Sequence, residues 1–191
     1  HDTLQRQGAG YVGKHAPDVM RTTDKWFRGI ELSYAPDGSV YVLDWSDIGE
    51  CHDNDGIHRT SGPIFRIFHS KPEADDVNLA KLSNDKLGRM ISSRNEWHSR
   101  QARQLLQQRA AAGQDLTKTA PMVMTIYKLS SSTPAALRAM WTLSAIGATD
   151  EDWLLEQSND EREHIRTWAI KLLIHHGPLS TNPQQSFIKM D

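Results

Sequence analysis

Residues 44–59, DWSDIGECHDNDGIHR, concentrate the side chains that could do chemistry. Asp44, Asp47, Glu50, Asp53 and Asp55 place five carboxylates within twelve residues, and no lysine or arginine intervenes before Arg59. Carboxylates crowded in this way repel one another unless a cation or several N–H donors stabilise them. An oxygen-rich loop suits a hard cation, so these five are the candidate ligands of a Ca²⁺ ion. Asp53-x-Asp55-Gly56 resembles part of an EF-hand loop, but Cys51 stands at its first position and Gly62 at its twelfth, and the full motif fails. Cys51, His52 and His58 with one aspartate would suit zinc, at a spacing that matches no zinc motif, and rank below calcium. A structural loop ranks above both: Asp and Asn side chains bond their own backbone, and His58 and Arg59 pair with the acids. His52 and His58 are the only candidates here for a general base. Cys51 is a poor nucleophile, because the charges of Asp47, Glu50 and Asp53 disfavour a thiolate.

Composition bounds what this loop can serve. The chain has 191 residues, 38% of them hydrophobic and 24% charged, enough for one large domain or two small ones. Its 22 basic and 24 acidic side chains leave a net charge of −2, which argues against a nucleic-acid binder. No apolar run approaches the roughly 18 residues of a membrane span. The single cysteine, Cys51, excludes an intramolecular disulfide and a CxxCH haem attachment. The first residue is His1 rather than Met, which reads as a processed product or a fragment, and no signal peptide is read from it.

The elements that must position the loop change character near Pro72. Residues 1–74 carry 8 basic and 11 acidic side chains, and the remainder carries 14 and 13. Residues 70–76, SKPEADD, read as the connector. Before it, 29–35 and 39–45 alternate as strands around the turn Pro36-Asp37-Gly38, and 63–69 supplies a third strand. Three antiparallel strands with this turn form most of one propeller-blade sheet, which needs neighbouring blades or a helical layer to cover its apolar face. No strand is expected before Gly8-Ala9-Gly10-Tyr11-Val12-Gly13 and no helix after it, so that segment fails the context test for a nucleotide loop.

After the connector the period becomes 3.6. Ser83 and Asn95 read as N-caps for helices over 84–92 and 96–112. Further helices are expected at 119–129, 134–146, 151–157 and 161–175, with Pro134 in a first turn and Gly147 and Gly177 at C-caps. Residues 95–106 resemble 163–173, both ending in Ala-x-x-Leu-Leu, and 137–143 is a looser copy. Arg138 and Arg166 open two of these helices 28 residues apart, an order that reads as a HEAT-type stack. Trp97, Trp141, Trp153 and Trp168 fall at helix-core spacing. His175-His176, at a helix C-terminus, is a weak metal candidate. The expected fold is therefore α+β, with a propeller-blade segment over 1–71 and HEAT-like helices over 72–191.

Residues 10–18 (GYVGKHAPD), 26–29 (WFRG), 35–45 (APDGSVYVLDW), 49–53 (GECHD) and 58–67 (HRTSGPIFRI) resemble a family of large secreted bacterial proteins. These are the membrane-bound dehydrogenases and haem-binding proteins of planctomycete and verrucomicrobial type. The resemblance covers about residues 10–175. It implies a β-propeller similar to glucose/sorbosone dehydrogenases, then HEAT-like repeats, then often a c-type cytochrome domain. Pro63 stands where the family carries an arginine. Periplasmic or extracellular location is implied with it. Two functions stay open. The chain is a piece of a sugar or alcohol dehydrogenase, inactive by itself, with a quinone or haem c only in the parent protein and its partners the other blades. Alternatively it is a HEAT-repeat scaffold that docks a protein partner.

Overall fold

The computed structural model describes residues 1–45, 62–69 and 78–175. They form an α+β chain of two compact units, one made of residues 1–33, 39–45 and 62–69 and the other of 34–38 and 78–175.

In the first unit, β1 (Asp2–Gln7) and β2 (Gly10–His15) make an antiparallel hairpin in which Gln7 pairs with Gly10. This hairpin corrects the expectation that no strand precedes Gly8. Its strands are exposed along both faces, so no apolar alternation announces them. The decisive signal is Gly8 itself, whose φ of 59° supplies the left-handed residue that a two-residue hairpin loop requires.

The second sheet has the order β3 (Gly29–Tyr34), β4 (Val40–Asp44), β5 (Ile64–Ile67), with β4 central. The turn after β3 closes with the Gly38 N–H on the Ala35 carbonyl at 3.0 Å, as the Pro-Asp-Gly sequence predicts. Val42 pairs with Phe65 and Leu43 with Ile64. Val42 is buried, and Phe65 meets Phe27 edge to face at 5.7 Å. A side chain at Gly29 would touch Val42, so Gly29 and Val42 share that face. Alternation then sends Ile30 and Leu32 to the opposite face, with Tyr41 and Leu43 of β4 and Ile64 and Arg66 of β5. On that face Ile30 is 60% exposed, Leu32 71% and Ile64 66%. Arg66 lies against the Tyr41 and Phe68 rings.

Besides residues 34–38, the second unit contains a 3₁₀ turn, Leu79–Lys81, followed by α1 (Asn84–Met90), α2 (Glu96–Ala111), α3 (Thr119–Leu129), α4 (Thr133–Ala145), α5 (Glu151–Gln157) and α6 (Glu163–His175). The caps follow the sequence signals. The Lys86 N–H donates to Ser83 Oγ at 3.3 Å, and the Trp97 N–H to Asn95 Oδ1 at 2.9 Å. Pro134 sits in the first turn of α4. Helix α6 starts two residues later than 161, because Asp160 accepts from the Arg162 N–H at 2.8 Å and closes a turn there first.

Consecutive helices pack as the pairs α1–α2, α3–α4 and α5–α6, and α2 and α6 also pack on α4. The Ala of each matching segment and the Leu four residues on are buried: Ala102 and Leu106, Ala139 and Leu143, Ala169 and Leu173. Trp141, Trp153 and Trp168 border the α3–α4–α6 core, and Trp97 borders the α1–α2 core. No helix among the described residues is long and apolar enough to cross a membrane.

Candidate functional site

Of the candidate site residues in the acidic loop, only Asp44 belongs to the described residues. Asp47, Glu50, Cys51, His52, Asp53, Asp55, His58 and Arg59 lie outside them, as do His176 and Gly177. Asp44 ends the central strand and is buried. Its Oδ1 accepts the Arg28 N–H at 2.7 Å, while the Trp45 N–H donates to the Arg28 carbonyl at 2.9 Å. This carboxylate therefore clamps the entry to β3, a structural use of one of the five candidate calcium ligands. A hard cation takes about six to eight oxygens. No group of three or more His, Cys, Asp or Glu side chains able to hold a metal occurs among the described residues.

The described residues instead assemble a basic depression in the second unit. It encloses about 450 Å³ and is lined by Tyr34, Gly38, Arg94, Asn95, Glu96, Arg100 and Arg138. Asn95 builds its wall in two ways. Its Oδ1 caps α2, and its Nδ2 donates to the Pro36 carbonyl at 2.7 Å and to the Ala35 carbonyl at 3.3 Å. The segment 34–38 is thereby held against the first turn of α2.

Glu96 is the one acid of the lining. Arg138, on α4, donates to Glu96 Oε2 from a largely buried position. Arg100, one turn along α2, reaches Glu96 Oε1 at 3.7 Å with its side chain 64% exposed. Arg94 is exposed and has no carboxylate partner among the described residues.

The basic seam continues one turn further between α2 and α4. Arg103 lies over the Trp141 ring at 5.4 Å. Burial lowers the pKa of its guanidinium from the ordinary value, Glu96 opposes that shift, and the charges of Arg100 and Arg138 add to it. Arg103 Nη1 and Trp141 Nε1 are buried donors without an acceptor among the described residues.

Sequence reading singled out Arg138 as a repeat marker, but not as half of an ion pair with Glu96, 42 residues away. Arg166, the other marker, uses its guanidinium differently, donating to the Asp160 and Glu161 carbonyls at 2.8 and 2.9 Å. The available signal for the depression was the spacing of Glu96, Arg100 and Arg103, which places all three on one face of α2.

No family model matches the chain, and neither the curated proteins nor the solved structures yield a match.

Proposed function

We propose that the chain is a non-catalytic part of a larger secreted, propeller-type dehydrogenase. Its three-stranded sheet lies against a neighbouring blade and its helices form a HEAT-like support. The observation that carries this reading is the uncovered apolar face formed by Ile30, Leu32 and Ile64. An isolated small sheet with large apolar side chains open to water is a poor end state, because each such side chain gains about 1.5–3 kcal/mol when buried. A neighbouring sheet packing about 10 Å away would cover it. In this reading the quinone or haem c and the substrate site belong to the parent protein, which works in the periplasm or outside the cell.

The experiment has two arms. The purified 191-residue chain is assayed with sugars and alcohols, dye acceptors, and added quinone and Ca²⁺. No turnover is expected, and measurable turnover overturns the reading. In the second arm, Leu32→Lys is expected to lower binding of an apolar dye while leaving the melting temperature within a few degrees. A steep loss of melting temperature would mean that Leu32 is already covered, and would remove the main support.

A second reading, a HEAT-like scaffold for a protein partner, is favoured by the helix pairing and by the repeated buried Ala/Leu positions. Stable one-to-one capture by the helical unit of a defined partner unrelated to any propeller would select it.

A further inference from the structure

We infer that the depression between the start of α2 and α4 is a binding site for a doubly charged oxyanion, a phosphoryl group or a dicarboxylate. The charge arithmetic comes first. Three arginines line it and one glutamate faces them. Glu96 is neutralised by Arg138, whose side chain is largely buried and committed to α2. That leaves Arg94, without a carboxylate partner among the described residues, and Arg100, whose contact with Glu96 is long and exposed. An exposed ion pair four residues apart on a helix contributes little, so Arg100 can turn to a ligand at small cost. Two cationic forks are then free to grip two negative charges. Guanidinium groups suit carboxylate and phosphoryl oxygens because they donate two parallel N–H bonds.

The surroundings add to this. The depression opens at the N-terminal end of α2, a 16-residue helix whose dipole contributes partial positive charge there. Asn95 spends its side chain on the helix cap and on the Ala35 and Pro36 carbonyls, so it fixes the wall and does not compete for the ligand. Gly38 leaves that wall without a side chain, and the half-exposed Tyr34 ring forms the rim. Arg103, one turn further along α2 and outside the lining, adds a third positive charge on the same helix face and lies over the Trp141 ring. The inference does not depend on the propeller reading, since the charged residues it uses, Arg94, Glu96, Arg100 and Arg138, all follow the connector and lie on or beside α2 and α4.

Calorimetric titration of the full chain with inorganic phosphate and with succinate, at constant ionic strength held with sodium chloride, tests it. Saturable one-to-one binding of at least one is expected. Phosphate alone identifies a phosphoryl source, and succinate alone a dicarboxylate. Arg94→Gln/Arg100→Gln, which alters only exposed side chains and is checked by its melting temperature, is expected to weaken that binding at least tenfold. Heats that vanish at matched ionic strength for both ligands overturn the inference. So does binding that the double variant leaves unchanged. Arg138 is left intact, because removing it strands Glu96.

Discussion

The Tyr127 hydroxyl donates to Gln157 Oε1 at 2.6 Å, and both residues are buried. The bond joins α3 to the end of α5, across a core that Trp153 closes by meeting the Tyr127 ring edge to face at 5.2 Å. Tyr127→Phe keeps the ring and leaves the glutamine oxygen without its donor, so a loss of about 1–2 kcal/mol is expected in urea denaturation.

The same phenol makes a pH prediction. Burial, then the neighbouring Asp160 charge, pushes its pKa up from 10.0 to about 12. The neutral form is thus favoured in the fold. Its contribution is fully present below pH 10 and is lost as pH rises through about 12. The stability advantage of wild type over Tyr127→Phe should therefore shrink between those values. An advantage that stays constant to pH 12 would show that Tyr127 titrates alike in both states.

Asp160 behaves in the opposite sense. Arg162 donates to both of its oxygens, at 2.9 Å from Nε and 2.8 Å from Nη2, and holds the carboxyl below its ordinary value of 3.8. A depressed carboxyl stabilises the fold above the unfolded value and loses that contribution as pH falls through the folded one. Asp160→Asn is expected to cost about 1–3 kcal/mol at pH 7, where the charged bonds are complete. The penalty should fade in acid below pH 3.8. A penalty independent of pH would assign the effect to packing instead.

Gly88 of α1 lies against Thr119, Met122 and Val123 of α3. A side chain there would overlap the end of Met122 and lie 3.0 Å from Thr119 Cγ2. Met122 can swing away, but Thr119 is buried and its hydroxyl donates to Asp85 at 3.0 Å. Gly88→Val is therefore expected to destabilise by about 1–3 kcal/mol through overpacking, despite the better helix propensity of valine. Gly88→Ala should cost less, because the two effects then nearly cancel. A thermal melt of both variants checks the order.

Legibility in the sequence followed how local each feature is. The turn at 36–38, the caps Ser83 and Asn95, and Pro134 are written in adjacent residues, and the structure forms each of them. The β1–β2 hairpin escaped because Leu4 and Val12 are exposed and no buried face imposes alternation. Two uses escaped for another reason. Asn95 reaching the Pro36 carbonyl and Glu96 meeting Arg138 are contacts across 59 and 42 residues, which single-helix patterns do not encode. Of the five carboxylates of the acidic loop, Asp44 alone is among the described residues, bonded to a backbone N–H rather than displayed in solution.

That placement sharpens the expectation for metal removal. If Asp44 serves only as a structural residue, EDTA should leave the melting temperature unchanged, and Asp44→Ala should cost about 1 kcal/mol through loss of the part-buried bond from the Arg28 N–H. If the carboxylates of the loop hold Ca²⁺, EDTA should lower the melting temperature and added Ca²⁺ restore it, because a ligand bound only by the folded state stabilises that state. The first outcome is expected. No complete calcium motif exists in residues 44–59, and the one candidate ligand with a described position has its Oδ1 engaged by the Arg28 N–H. A Ca²⁺-dependent rise of several degrees, abolished in Asp53→Asn/Asp55→Asn, would replace the structural reading with a cation site.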